Sequence, residues 1–336
     1  MSDDLVSVIM TSYNSNYKFL NKAIKSVLNQ TYNNFEFIIV DDGSTNDSLE
    51  NVIRELINEK NFDKINIIKQ DNQGLCNARN MGIKNSKGKY IAFIDDDDIW
   101  KENKLEVCYR YFEENRLKDD KLGMIFSQSE IIDENDFVYG IYGFIVKGNI
   151  YNKILGKNII GPPSSVMIDR NVFIDIGNFD PSYIYAEDIE LWYRITEKYN
   201  VYSLDIPLIK YRYRVNSLSK NYIKMAYYTE KAIKDTLKKV NDKTINKNNI
   251  LTKYYLDFAY LFFSNNDSKM FKKYYLNCIK TNKRNIINLK LLFGFIISSG
   301  GNKVMEIFNK IRRKDIIPPS YLKVYNYLDY EVENEE

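Results

Sequence analysis

An α/β fold with a mostly parallel central sheet, followed by a mainly α-helical C-terminal region, is the class this sequence predicts. Three observations predict it. Apolar, β-branched runs alternate four times with helical stripes within the first 100 residues. Each run ends in a polar cluster, three of them rich in aspartate. Past about residue 218 the pattern turns helical and rich in Tyr and Lys. Alternation at about 25–30 residues is the spacing of βαβ units, whose parallel strands carry helices on both faces.

The elements follow in order. Leu5–Met10 is nearly all apolar, as in a strand buried on both faces. After the polar stretch SYNSNY, Leu20, Ala23, Ile24, Val27 and Leu28 form one helical stripe. Glu36–Val40 is the second strand and runs into DDGSTND, where Gly43 turns and Ser44, Thr45 or Asn46 is expected to cap the next helix. That helix carries Leu49, Val52, Ile53 and Leu56. Lys64–Lys69 is a third strand, DNQG a turn, Leu75–Asn85 a helix and Lys89–Ile94 a fourth strand.

Beyond residue 100, KENKLEVCYRYFEENR reads as a helix, and Gly123–Ser129 and Phe137–Phe144 as strands. Ile159–Ile168 is a small-residue loop entering a strand. Ala186–Tyr199 is helical, with Ile189, Trp192, Tyr193 and Thr196 on one side. Tyr202–Arg214 is a β segment with Pro207 at a turn.

Composition narrows the function. The 336 residues are 44% hydrophobic and 28% charged, a globular balance. A formal net charge of only +3 argues against a nucleic-acid partner. Charge is uneven, with 16 Lys/Arg against 5 Asp/Glu in residues 241–325. The three cysteines have neither metal nor disulfide spacing, which fits a reducing compartment. Asp3 and Asp4 stand where a signal peptide carries basic residues, and the longest apolar run, residues 291–299, is too short to span a bilayer. A cytoplasmic protein, or one peripheral on the inner face of the plasma membrane, is expected. The chain has no histidine, so a catalytic base must be a carboxylate, lysine, tyrosine or thiolate.

Ligands of open parallel sheets bind beyond the carboxyl ends of the strands. Thr11–Asn14, Asp41–Gly43, Asp71–Gly74 and Asp95–Asp98 would all meet there. Taken alone, DDGS reads as a turn and cap, and DDDD as a solvated helix start. Together they form an acidic rim suited to a hard divalent cation, Mg2+ or Mn2+, and a nucleoside diphosphate. No Walker loop and no G-x-G-x-x-G is present, so metal and side chains would hold the phosphates, with Arg79 as the cationic partner. Glu187 and Asp188 at a helix start read first as a first-turn electrostatic feature.

The segments VSVIMTSYN, SVLNQTYNNFEFIIVDDGSTNDS, DNQGLCNARNMGI, GKYIAFIDDDDIW and EDIELWYR resemble the successive motifs of family 2 glycosyltransferases, including bacterial polysaccharide and spore-coat-type members. The resemblance covers about residues 5–215 and implies the GT-A fold. It implies Thr11 and Tyr13 as nucleobase contacts, Asp41 as a uracil or ribose partner, and Gly74 and Arg79 as shapers of the nucleotide pocket. Asp95-Asp96-Asp97 falls on the DXD site, with Asp97 the principal metal ligand, Asp95 beside it and Asp96 at the ribose or sugar phosphate. Asp98 is expected to cap the next helix and Asp42 to stabilise its turn. Asp188 matches the catalytic base, and Glu187 an acceptor contact or a partner in that role.

The implied activity is inverting, metal-dependent transfer from a UDP-sugar to a glycan, lipid-linked or glycoprotein acceptor. A nucleotidyltransferase and a non-catalytic binding subunit are the alternatives. The expected organisation is a catalytic domain over 1–215, with a nucleotide-sugar half (1–100) and an acceptor half (101–215). A helical domain over 216–336 follows. GPPSS (161–165) reads either as room for an acceptor sugar or as a plain turn with two prolines. In the last region Lys269, Lys272, Lys273, Lys280, Lys283, Arg284 and Arg312–Lys314 flank the apolar run. That region reads as a helical bundle that packs or forms a homodimer, or as a peripheral membrane surface.

Overall fold

The structure, a computed structural model, describes residues 4–214, 221–282 and 295–306. The apolar run in part, and Lys283, Arg284 and Arg312–Lys314 entirely, lie outside the described residues. The chain divides into two compact units, one of residues 1–154 with 158–217 and one of 155–157 with 218–336.

The first unit is built on strands β1 (Val6–Ser12), β2 (Phe35–Asp41), β3 (Ile65–Lys69), β4 (Tyr90–Ile94), β5 (Ile99–Trp100), β6 (Leu122–Ile132), β7 (Val138–Tyr142), β8 (Val166–Asp169) and β9 (Asn200–Arg212). The sheet order is β3-β2-β1-β4-β8-β6-β9-β5, with β7 paired to β6. Pairing is parallel across β3-β2-β1-β4, as the alternation predicts, and antiparallel through β4-β8-β6. The helices of this unit are α1 (Tyr17–Leu28), α2 (Ser48–Leu56), α3 (Leu75–Asn85), α4 (Lys104–Arg116), α5 (Tyr151–Ile154), α6 (Arg170–Ile176) and α7 (Glu187–Lys198).

Side-chain alternation sorts the helices between the two faces. Val6, Val8 and Met10 of β1 join Phe37 and Ile39 of β2, the apolar stripes of α1 and α2, and Leu105, Cys108 and Phe112 of α4 in one core. On the opposite face Ile38 and Val40 pack with Ala78 of α3. A Cβ on Gly82 would stand 2.4 Å from Ile9 Cγ2, so α3 needs glycine there to lie this close to β1. Strand β3 sits at the sheet edge and is half-buried or exposed along its whole length, unlike the wholly buried β4.

One local expectation is narrowed and two are corrected. Helix α2 starts at Ser48 behind Asp47, whose side chain makes no cap bond, while the Asn46 side-chain oxygen accepts from the Ser48 N–H at 3.3 Å. The Ser44 and Thr45 hydroxyls bond Asn14 of the preceding loop instead. Pro207 does not turn the chain. Strand β9 runs through it, and a register shift opposite Gln128 absorbs the missing N–H. Helix α4 starts after Asn103, too far on for Asp98 to cap it.

The second unit is carried by α8 (Tyr222–Lys239), α9 (Lys247–Ser264) and α10 (Ser268–Thr281). Tyr254, Phe262 and Tyr274 are fully buried and in ring contact, and the Tyr255 hydroxyl donates to Glu230 Oε1 at 2.8 Å. No helix among the described residues is long and apolar enough to cross a membrane.

Candidate active site

Register brings the strand ends together. Ser12 stands beside Asp41, Asp41 beside Lys69, and Met10 beside Ile94. The chain leaves β1 through Thr11, half-buried, and Tyr13, whose ring is 52% exposed. Asn14 takes a left-handed conformation (φ 49°) and its side-chain oxygen accepts from the Thr45 N–H at 2.8 Å, clipping this loop to DDGS.

Asp41 is buried and accepts from the Ser44 N–H at 3.0 Å. Asp42 accepts from the N–H groups of Gln73 and Gly74, both at 2.9 Å, and from the Gln70 amide at 2.7 Å. It thereby holds the turn that enters α3. Gly74, exposed at φ 87°, precedes that helix in a conformation that other residues adopt at a cost.

One turn of α3 further on lies Arg79, with a side chain only 4% exposed. Its Nη2 donates to Asp95 Oδ1 at 2.9 Å and its Nη1 to Glu187 Oε1 at 2.7 Å. Burial opposes the charge, but Asp95 and Glu187 outweigh that cost and hold the guanidinium protonated. Arg79 is therefore a buried clasp between two carboxylates.

The four aspartates separate by environment. Asp96 accepts from the Ser15 hydroxyl, and burial pushes its carboxyl above the ordinary range. Asp97 pairs with Arg214 Nη2 at 2.6 Å, and burial followed by the adjacent Asp96 raises its pKa to about 7. Asp98 is fully buried. It accepts from the Ser164 hydroxyl at 2.5 Å and from the Arg212 N–H at 2.9 Å, and burial and Asp97 raise its pKa well above normal. That inward role replaces the expected helix cap. The GPPSS loop is a packed turn: Ser164 and Ser165 are fully buried, Ser164 against the acidic turn.

Glu187 and Asp188 occupy the first turn of α7, after Ala186, whose backbone is left-handed at φ 59°. The half-buried Asp188 accepts from the Ile189 N–H at 2.8 Å through Oδ1. Burial, then Glu187, pushes its pKa to about 7. A carboxylate poised there can take a proton at neutral pH. The Arg79 bridge thus draws the first turn of α7 and the end of β4 to one place.

Sequence reasoning missed Ser15, Ser164, Arg212, Arg214 and Ala186. The string YRYR at 211–214 was visible as a charged strand end. Its partners in DDDD lie over 100 positions away, and no local pattern joins them.

A sequence model described as "Glycosyl transferase family 2" matches residues 7–177. The chain belongs to that family. Its relatives include an uncharacterized glycosyltransferase of Rickettsia conorii, 36% identical over 217 residues, or 63% of this chain and 33% of that protein. The chain thus spans about a third of the length of this relative and of its Rickettsia felis counterpart. A second relative is Escherichia coli UDP-Glc:alpha-D-GlcNAc-diphosphoundecaprenol beta-1,3-glucosyltransferase WfgD. It is 33% identical over 228 residues, 67% of this chain and 83% of that protein. Among solved structures, S. aureus TarS 1-349 in complex with UDP-GlcNAc aligns at a TM-score of 0.60 with 16% identity, covering 91% of each chain. At that identity the likeness shows the fold, which is the GT-A fold with a helical C-terminal region that the sequence predicts.

Proposed function

We propose that this family 2 protein is an inverting glycosyltransferase that moves a sugar from a UDP-sugar to an acceptor hydroxyl. The observation that carries the reading is the Arg79 bridge, which ties Glu187, next to Asp188, to Asp95 of the acidic rim. A base and a leaving-group site within one constellation are what glycosyl transfer requires.

In the proposed reaction Asp188 accepts the proton of the acceptor hydroxyl. The oxygen attacks the anomeric carbon opposite the diphosphate. The new C–O bond forms as the bond to the phosphate oxygen breaks, and UDP leaves with that electron pair. Thr11, Tyr13, Asp41 and Gly74 surround the nucleoside, with the open Tyr13 ring available for stacking. Asp96 meets the ribose or sugar phosphate. Arg79 acts by holding Asp95 and Glu187 in place, while Arg214, with a side chain 31% exposed, is the cation able to face the diphosphate.

The donor set fits a hard cation. Asp95 and Asp97 offer only oxygen, and mutual repulsion within the turn is what a bound ion would relieve. Among the described residues no three His, Cys, Asp or Glu side chains converge on one point, so most ligands would come from phosphate and water. When bound through Asp97 and Asp95, Mn2+ or Mg2+ supplies neutralisation of the developing diphosphate charge.

Residues 1–100 would hold the donor, 101–215 the acceptor, and 216–336 a contact with membrane or a second copy. The E. coli relative's name, with its UDP-Glc donor and diphosphoundecaprenol-linked acceptor, supports a lipid-linked saccharide in surface glycan synthesis at the cytoplasmic face. UDP release from UDP-sugars with Mn2+, measured with and without a lipid-linked acceptor, tests the reading. Release of a sugar 1-phosphate instead would favour nucleotidyl transfer, and binding without turnover a non-catalytic subunit.

A further inference from the structure

The turn carrying Asp95–Asp97 is held from beneath, and the hold converges on Ser164. This residue is fully buried. Its Oγ accepts the Asp95 N–H at 3.0 Å and donates to Asp98 Oδ2 at 2.5 Å, while its carbonyl accepts the Trp100 Nε1–H at 3.0 Å. Asp98 in turn accepts the Arg212 N–H at 2.9 Å, and Arg212 Nε donates to the Asp97 carbonyl at 2.8 Å. The amide entering the turn and the carbonyl leaving it are thus both anchored to one buried set, Ser164, Asp98 and Arg212. A lost bond here leaves a polar atom with no water to replace its partner, so the set holds together or fails together.

Its neighbour shows what a merely space-filling serine does in the same loop. The Ser165 hydroxyl donates to Pro162 O at 2.8 Å, three residues away. Ser164 reaches 66 and 69 positions back to the acidic turn. The Gly, Pro and Ser residues of 161–165 are small because the segment lies under that turn, where β8 begins.

We infer that Ser164 is a positioning residue for the acidic rim, fixing Asp95 and Asp97 from the segment that precedes β8. The inference rests on the proposed function for its catalytic consequence, and on hydrogen bonding alone for its structural one. It makes the geometry of the donor-side carboxylates depend on a loop of the proposed acceptor half.

The test compares wild type with Ser164→Ala, Ser164→Thr and, as a buried control, Ser127→Ala. The Ser127 hydroxyl has no hydrogen-bond partner. Near-UV circular dichroism sets a temperature at which all variants are folded. Calorimetry with UDP and Mn2+ and turnover of UDP-sugar are then read. Misplacing reacting groups by about 1 Å costs on the order of 10²-fold, so Ser164→Ala is expected to lose 10- to 10²-fold in turnover and in UDP affinity. Ser164→Thr, which keeps the hydroxyl, recovers most of it, and Ser127→Ala stays within about twofold. A folded Ser164→Ala with wild-type UDP affinity and turnover overturns the inference. Should Ser164→Ala not fold, Ser164→Cys, which keeps the volume, takes its place. If the wild type itself neither binds UDP nor releases it, the functional reading fails instead. The crystal structure of Ser164→Ala then decides the positional claim, a displaced Asp95–Asp97 turn supporting it and an unmoved one refuting it.

Discussion

Arg79 and Glu187, 108 positions apart in the chain, form an ion pair of 2.7 Å in which the arginine side chain is 4% exposed. The same guanidinium holds Asp95, so one residue of α3 joins the end of β4 to the start of α7. Removing it leaves two carboxylates facing each other without a counter-charge. Breaking a buried pair from one side costs about 3–5 kcal/mol. Arg79→Leu is expected to lose stability of that order in urea unfolding. Arg79→Lys, with charge but no fork, should fall between. A loss under about 1 kcal/mol for Arg79→Leu would show that the clasp carries little.

Asp188→Asn keeps the size of the side chain and removes its basicity. Transfer is expected to fall by about 10²–10⁴-fold, the usual contribution of a placed general base, while UDP binding persists. Stopped or steady-state assays that find near-wild-type turnover would move the base elsewhere.

The pH profile follows from the same carboxyl. Glu187 beside it, Arg79 on α3 and Asp95 at the end of β4 face Asp188, and burial with Glu187 dominates to bring its pKa to about 7. Turnover at saturating donor is expected to rise with unit slope below pH 7 and to level off above it. The sign for stability is opposite. The folded state holds a proton that the unfolded chain, with an ordinary aspartate near 3.8, has released. This group's contribution is full below that value and lost as pH rises to about 7. A flat profile between about pH 6 and pH 8 in a well-buffered assay would contradict the assignment.

Asp97→Ala tests the rim. It is expected to weaken Mn2+-dependent binding of UDP by at least about tenfold, with little change in the binding measured without metal. Calorimetry at matched ionic strength reads both. Equal affinities for Asp97→Ala and wild type in Mn2+ would place the ion outside this turn.

Ala186 is buried and left-handed at φ 59° directly before Glu187. A β-branched side chain tolerates that conformation poorly, and an L-residue pays about 1–2 kcal/mol there. Ala186→Val is expected to lose at least about 2 kcal/mol and to lower turnover by turning the first residues of α7. Ala186→Gly should stay within about 1 kcal/mol, since relieved strain offsets greater chain entropy. Thermal unfolding of both variants checks the contrast.

Much of the framework was legible because it is local. The stripe Leu20, Ala23, Ile24, Val27, Leu28 is the buried face of α1, and α3 spans Leu75–Asn85 as its pattern predicts. The placing of Asp95 to Asp98 at a strand end was equally plain, since it needs only the end of one apolar run. Less legible was the division of labour among those four acids. Asp98 read as a helix cap and proved to be the buried anchor of its own turn. Arg79 read as the cationic partner of the phosphates, and its guanidinium is enclosed between Asp95 and Glu187. GPPSS read as room for a sugar or as a plain turn, and its serines proved to be packed.

By itself, the order of residues determined the elements, the α/β class and the collection of aspartates on one sheet edge. Periodicity and turn chemistry act within a few residues, and a parallel sheet leaves its strand ends on one side. Only the tertiary structure decided which acids face outward, which arginine is enclosed, and that Ser164 and Arg212 brace the rim. Those outcomes depend on the β4–β8 and β6–β9 registers and on the Arg79–Glu187 bridge between α3 and α7. Such contacts join residues far apart in sequence, where burial and charge balance, not local preference, select the partner.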